Sequence, residues 1–526
     1  MTAAGSEQGR ANRRAPIALS AGRGAPPAVG EASGEHFGGE RVEVDTALLR
    51  RLASVCAEVD TTGAGRAEAG RDWWPLALHW ALQGEVPALP AAVARPGSVE
   101  EVSAVARLCG EHDIPLTTSG GRSGVCGAAV PVFGGIVLDT TSLSGLLEVD
   151  DESLLVDVAA GTFGTSFEEE LRAGHGLTVG HLPQSIDLAT VGGWVACRGA
   201  GQYSTRYGKI EDIVAGLEVV LASGEVVRTG ALAGAGPRSA HGPDLTQLFV
   251  GSEGTLGIVT AARLRAHVLP PAETRLAFGF ESFLAGLEAL RRTLRRAATP
   301  AVVRLYDERE ARRSFALDTN LLIALDEGDG RIVEAATGIL SEECAAVGAA
   351  ELDDDLVGQW LARRNDVDAL ESVVRAGIVV DTIEIAAPWS ALPVIYTEAI
   401  TRLNELEGCL AASAHESHAY IDGACLYFTF AGRGPDPPDE AQKEAFYRAA
   451  WSAVMAATES HGGSISHHHG IGLVRGPYLA GALGGGFAVL ESLKRALDPA
   501  GILNPGKLGL SSPFGPSPWQ LGATAP

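Results

Sequence analysis

Three adjacent histidines, His467, His468 and His469, precede Gly470. Neighbouring side chains on an extended segment point to opposite faces, so the three do not readily converge on one metal ion, and none is expected. Imidazoles can instead exchange hydrogen bonds and move protons near neutral pH. Each buried imidazole needs polar partners, which makes such a run a poor core filler. A second stretch, Pro115-Leu-Thr-Thr-Ser-Gly-Gly-Arg-Ser-Gly-Val-Cys-Gly127, carries four glycines in a short loop. Without β-carbons, backbone N–H groups can point one way and approach a ligand closely. Such a loop suits a pyrophosphate, although it lacks the G-x-G-x-x-G spacing of a Rossmann turn.

These groups need elements to hold them. Ser98-Val-Glu-Glu101 has the form of a capping box and opens a helix with Val102, Val105, Ala106 and Cys109 on one face. That helix ends near Asp113, before Pro115. Gly135-Ile-Val-Leu-Asp139 and Leu154–Ala160 read as strands, and Phe163–Ala173 as a helix stopped by Gly174 and Gly176. Leu217–Leu221 and Glu225–Arg228 flank Ala222-Ser-Gly224 as a hairpin. After Pro270-Pro271 the pattern changes to alternating strands and helices, the mark of a second α+β domain. Residues 46–90 read as helical, with Trp73, Trp74 and Trp80 packing.

The bulk composition excludes several classes. A chain of 526 residues at roughly 150 per domain gives two to four domains. A net charge of −24 argues against nucleic-acid binding and against electrostatic docking on anionic lipid. The seven cysteines are scattered with no C-x-x-C pair, which fits a reducing, cytoplasmic setting. No apolar run approaches the length of a membrane span.

The motifs as a set resemble the vanillyl-alcohol-oxidase-type, or PCMH-type, FAD flavoproteins. The set is the glycine loop, Gly180-His-Leu-Pro-Gln-Ser-Ile-Asp-Leu-Ala-Thr-Val-Gly-Gly-Trp194, Gly251-Ser-Glu-Gly-Thr-Leu-Gly257 and Leu497-Asp-Pro-Ala-Gly-Ile-Leu-Asn-Pro505, over roughly residues 86–510. The resemblance implies an α+β fold: a two-subdomain PCMH-type FAD-binding domain plus a cap domain with an antiparallel sheet flanked by helices. The expected divisions are a disordered tail over 1–45, a helical segment over 46–85, the FAD domain over 86–270 and the cap over 271–475. A helical segment over 476–510 returns to the FAD domain, and 511–526 is a tail.

Within that superfamily, Ile210-Glu-Asp-Ile213, Gly423-Ala-Cys-Leu-Tyr-Phe428 and Ser464-Ile-Ser-His-His-His-Gly-Ile-Gly472 resemble the alkyldihydroxyacetonephosphate synthases. The resemblance implies exchange of the acyl group of acyl-dihydroxyacetone phosphate for a fatty alcohol through a flavin N5 adduct. The implied partners are a lipid-like substrate, a peripheral membrane contact and a second copy of the chain. The alternative is an FAD-linked D-2-hydroxyacid dehydrogenase. Many of those hold a metal with His-x-x-Gly-Asp-Gly-Asn-Leu-His and a later Glu-His-Gly. Here Tyr427 stands near the second His, and His468 stands where the Glu would be.

The resemblance also assigns residues. Ser119, Gly120, Gly121, Arg122, Ser123, Gly124 and Gly127 form the cofactor loop. Arg122 occupies a place where some relatives carry a His bonded to the flavin, which implies non-covalent FAD. Asp139 either accepts from the cofactor or caps its own turn. Pro183, Ser185, Thr190, Gly192, Gly193 and Ala196 lie against the ring. Glu253, Gly254 and Ile258 complete the cofactor set, with Glu253 accepting from a ribose or fixing its loop. Tyr427 and His467–His469 are catalytic, and a basic Tyr427 requires a lowered pKa. Arg375 and Arg304 are candidates for holding an anion. Leu473 replaces a Lys usual in the synthases, and Arg475 is expected to supply the charge.

Overall fold

The computed structural model describes Ala32 and residues 34–38, 41–366, 369–433 and 439–520. Three larger sheets organise the chain. In a four-stranded sheet, Ala92–Arg95, Ile136–Asp139 and Leu116–Ser119 run parallel, and Glu58–Asp60 adds an antiparallel edge. The helix Val99–Glu111, capped by Ser98 Oγ on the Glu101 N–H, makes one crossover. An antiparallel five-stranded sheet takes the order Val226–Arg228, Val214–Val220, Ile258–Arg265, Leu155–Ala159, Leu146–Asp150. The helix Gly164–His175 stops at Gly176, whose φ of 65° is the left-handed cap that glycine tolerates. This pair of sheets is the two-subdomain arrangement that the motifs imply.

The third sheet has seven antiparallel strands, ordered Ala350–Leu352, Ala272–Phe280, Asn320–Gly328, Val302–Tyr306, Cys409–Ala419, Gly423–Gly432 and Val379–Pro388. Strand alternation divides its residues between two faces. Leu426, Phe428 and Phe430 are fully buried in one core with Ile395, Ala399 and Leu403 of the helix Leu392–Glu405. Tyr427 and Thr429 point the other way, into a cavity.

Several terminal expectations change. Residues 46–90 are not continuously helical: Glu58–Asp60 is a sheet edge between the helices Thr46–Val55 and Gly63–Ala69. The expected N-terminal tail lies largely outside the described residues, but His36 stacks on Trp80 and Phe37 is buried. At the other end Trp519 is buried, edge-on to Trp74 and under the Arg448 guanidinium. Aromatic burial of this size outweighs the polar, Pro-rich look of the tail. Among the described residues, no helix is long and apolar enough to cross a membrane.

Candidate active site

A cavity of about 750 Å³ runs between the glycine loop and the open face of the seven-stranded sheet. At one end lie Ser119–Gly124, Pro183, Ser185, Thr190, Gly192, Gly193, Ala196, Glu253 and Gly254. Their packing explains the residue types. A β-carbon on Gly121 would stand 1.7 Å from the Leu188 carbonyl, and one on Gly120 would stand 2.2 Å from Thr190 Oγ1. The loop is thus pressed against the segment leading into the helix Val191–Cys197, which Thr190 caps. Thr118 Oγ1 and Ser119 Oγ are buried there without a protein partner. Unpaired hydroxyls beside a bare backbone loop fit a nucleotide cofactor with many polar atoms.

Three assigned residues sit elsewhere. Ile258 points into the core under the Val99–Glu111 helix, and its neighbours Gly257 and Val259 line the cavity instead. Gly127 lies behind the loop against Leu473 and Trp74. Asp139 is fully buried and caps its own turn through the Thr141 N–H and hydroxyl, with Arg95 3.4 Å and Arg122 3.7 Å away. Glu253 is a loop fixer: its carboxylate accepts from the Ile471 and Gly472 N–H groups at 2.5 and 2.8 Å. Burial pushes its pKa up to about 7 against those donors.

At the other end, sheet register assembles the reactive groups. Glu384, Tyr427, His415 and Tyr306 form one row across four neighbouring strands. Tyr427 stacks on His415 with ring centroids 4.6 Å apart, and its hydroxyl lies 2.5 Å from His468 Nε2. A bulge between Glu416 and His418 brings His418 back to the cavity face. His418 Nδ1 then lies 2.7 Å from Ser204 Oγ.

Glu384 holds the histidine run. Its carboxylate accepts from the N–H groups of His467, His468 and His469 at 2.5, 3.3 and 2.9 Å, and from Ser466 Oγ at 2.7 Å. Arg475 lies 3.2 Å away, both side chains being fully buried. Burial pushes the Glu384 pKa up, but Arg475, His469 and the Ser466 hydroxyl outweigh it and hold it below the usual range. His468 and His469 line the cavity. His467 does not, and its carbonyl takes the Lys209 ammonium at 2.6 Å.

Two arginine expectations are corrected. Arg475 does not face the cavity: it also donates to the Ile465, Gly470 and Glu384 carbonyls and covers Trp451. It therefore replaces no lost phosphate-binding charge. Arg375 is exposed at the end of the helix Ala369–Arg375 and pairs with Glu371 one turn back. The i,i+4 spacing of Glu371 and Arg375 is the sequence signal for that surface pair.

Arg304 does line the cavity, donating to Tyr306 Oη at 2.8 Å and lying 3.0 Å from His415 Nε2. Behind it, Glu310 lies 3.0 Å from His415 Nδ1 and 2.8 Å from Arg313. Burial works against the Glu310 carboxylate, but His415, Arg313 and the Ser413 hydroxyl bring its pKa down to about 2. Arg363 and Arg364 add two more cations to this wall. Arg364 donates to Gln202 and lies over the Tyr203 and Trp360 rings. Sequence reading found none of Glu310, Arg313, Arg364, Glu384 or His415.

The site's protonation follows from burial. The Tyr427 hydroxyl is pushed well above its ordinary pKa by burial, against the pull of Arg304, so the lowered value expected for a basic phenolate does not arise. Burial and neighbouring imidazoles hold His467 and His468 well below the usual histidine value, and burial brings His469 to about 4. At neutral pH the run is uncharged. Imidazole Nδ1 of His469 is buried with no partner in the protein, and the residue lines the cavity.

Residues 90–230 match the FAD binding domain family, and residues 269–508 match the C-terminal domain of FAD-linked oxidases. The uncharacterized FAD-linked oxidoreductase YgcU of Escherichia coli K12 is 32% identical over 438 residues, 80% of this chain and 89% of that protein. This chain belongs to the PCMH-type FAD flavoprotein family. Its cofactor is FAD, and the matched FAD-binding region, residues 90–230, contains the glycine loop.

Other members include the alkyldihydroxyacetonephosphate synthase of Dictyostelium discoideum, 29% identical over 467 residues, 81% of this chain and 74% of that one. A solved alkyldihydroxyacetonephosphate synthase shares the flavoprotein fold with a TM-score of 0.75 and 24% identity, covering 91% of this chain and 90% of its own. Relatives of both reaction types therefore surround this flavoprotein, which is an FAD-linked enzyme of oxidoreductase or synthase type.

Proposed function

We propose that the protein is an alkyldihydroxyacetonephosphate synthase-like transferase. It replaces the carboxylate of an acyl-dihydroxyacetone phosphate by a fatty alcohol. The ester C–O bond to the dihydroxyacetone carbon breaks, an ether C–O bond forms there, and a fatty acid leaves with no net redox change. Bound FAD supplies a ring able to accept an electron pair from that carbon.

The observation that carries this reading is the Tyr427–His468 contact. By the resemblance, Tyr427 stands near, and His468 at, a position where many hydroxyacid dehydrogenases carry a metal ligand, and here the two side chains are hydrogen-bonded to each other. A neutral phenol against a neutral imidazole is a pair that can lend and recover one proton. The Tyr427 hydroxyl serves the leaving and entering oxygens, with His468 as its reservoir. His469 offers its free nitrogen to the substrate ketone or to the alcohol. Arg304, with Arg313, Arg363 and Arg364 along the same wall, suits an anionic headgroup in a chain that is acidic overall. FAD is held non-covalently, because Arg122 offers no nucleophile and is engaged by Glu68. A lipid-like substrate implies peripheral membrane contact.

One observation favours a second reading. Ligand nitrogens of His418, His467 and His468 come within 4.8 Å of one another, a spacing a divalent metal could use. On that reading the chain is a metal-assisted FAD oxidoreductase acting on a D-2-hydroxyacid. Incubation with hexadecanol and palmitoyl-dihydroxyacetone phosphate separates the two. Mass-spectrometric detection of the hexadecyl ether supports the transferase. Anaerobic bleaching of the flavin by D-lactate or D-2-hydroxyglutarate, without ether formation, refutes it.

A further inference from the structure

The matched FAD-binding domain begins at residue 90, yet the cavity wall includes Asp72 and Trp73. They follow the helix Gly63–Ala69 and belong to neither matched domain. This upstream segment grips the glycine loop at three points. Glu68 Oε1 accepts from Arg122 at 2.9 Å, while its other oxygen lies 3.2 Å from Arg71. The Trp73 N–H donates to the Gly124 carbonyl at 2.9 Å. Asp72 lies behind Gly124, with Oδ1 accepting from the Trp74 N–H at 3.1 Å. The loop's conformation needs this support. Arg122 sits at φ 56°, a left-handed backbone that a bulky residue adopts only when its surroundings hold it there.

Asp72 is 1% exposed, and its Oδ2 has no hydrogen-bond partner of good geometry in the protein, although the Gly127 and Ala129 N–H groups and the Lys507 ammonium lie near the carboxyl group. A buried carboxyl oxygen without a partner costs free energy unless a ligand completes it. Asp72 lines the cavity at the loop that cradles the cofactor.

We infer that residues 68–73 are a third part of the FAD site: Asp72 contacts the cofactor through Oδ2, and Glu68 is a positioning residue that aims Arg122 at it. This rests on FAD as the cofactor and is independent of which reaction the enzyme performs. The hydroxyl and ring N–H groups of FAD offer the donor that Asp72 Oδ2 lacks, and its pyrophosphate offers an anion to Arg122 beside the Glu68 contact that Arg122 already makes.

The test measures the FAD dissociation constant of the full-length holoprotein, from the flavin fluorescence that appears on dilution. Far-UV circular dichroism monitors the fold. Losing one such contact is worth about 1–1.5 kcal/mol, so Asp72→Ala and Glu68→Gln should each raise the constant about five- to tenfold. Asp72→Asn, which keeps a polar atom in place, should raise it less, and it carries the test if the alanine variant does not fold. Glu68→Gln should add nothing in an Arg122→Gln background, because its effect runs through that arginine. A merely structural Glu68 would weaken both backgrounds alike. Wild-type FAD affinity in folded Asp72→Ala or Asp72→Asn overturns the Asp72 contact, and additive losses in the double variant overturn the Glu68 assignment.

Discussion

The Tyr427 hydroxyl and His468 Nε2 meet at 2.5 Å, although they lie 41 positions apart in the chain. The strand Gly423–Gly432 supplies the phenol, and a loop folded around Glu384 supplies the imidazole. Stacking on His415 fixes the phenol ring from the other side. Two independent supports therefore set one proton-sharing pair.

Tyr427→Phe removes only the hydroxyl and keeps the stacked ring. Turnover should fall by at least about 10²-fold, as for loss of a proton-transfer group. The flavin absorbance of the purified variant should match wild type. His469→Ala should behave the same way. Steady-state rates with FAD stoichiometry measured on the same samples check both, and retained activity in either removes that residue from the mechanism.

Glu384 should matter to stability as well as activity. Glu384→Ala leaves the buried Arg475 charge without its carboxylate and three loop N–H groups without an acceptor. Breaking one side of a buried ion pair costs roughly 3–5 kcal/mol. Denaturant unfolding should show a loss in that range, together with a rate defect.

Backbone proximity makes Gly121 irreplaceable. The added β-carbon of Gly121→Ala meets the Leu188 carbonyl rather than a movable side chain. The expected result is a folded protein that purifies largely colourless. A yellow Gly121→Ala protein with full FAD content would contradict the loop geometry.

Glu416 provides a pH test. It is fully buried, neither carboxyl oxygen has a hydrogen-bond partner of good geometry, and burial raises its pKa to about 8 against the weaker pull of Arg304 and of the nearby His418 and Leu305 N–H groups. The folded protein therefore keeps the proton, while the unfolded chain releases it above about pH 4.5. Stability is lost as pH climbs from that value toward 8. Glu416→Gln removes the loss. Its melting temperature should equal wild type near pH 4 and exceed it increasingly up to pH 8, by the equivalent of ~2–4 kcal/mol.

What was legible in the sequence was local. The Ser98 cap and the hairpin around Ala222-Ser-Gly224 depend on a few consecutive residues and appear where those residues predict, and Gly176 ends its helix, although Gly174, expected to stop it at Ala173, lies inside the helix Gly164–His175. The glycine loop and the histidine run were visible as clusters of one residue type. The supports of the site were not, because they are long-range: Glu384 reaches the loop at 466–469, and Glu253 reaches Ile471 across 218 positions. A lone Glu on a strand carries no sign of what it will face. Arg375 and Arg475 failed for the complementary reason. A family match or a convenient charge does not name an arginine's nearest carboxylate: the i,i+4 spacing pointed Arg375 to Glu371, whereas nothing local pointed Arg475 to Glu384.

Mass spectrometry of products after incubation with hexadecanol and palmitoyl-dihydroxyacetone phosphate tests the central claim most directly. The account predicts a hexadecyl ether and one equivalent of free palmitate from wild type, and neither from Tyr427→Phe. Palmitate release without ether, or ether formation undiminished in Tyr427→Phe, would contradict it.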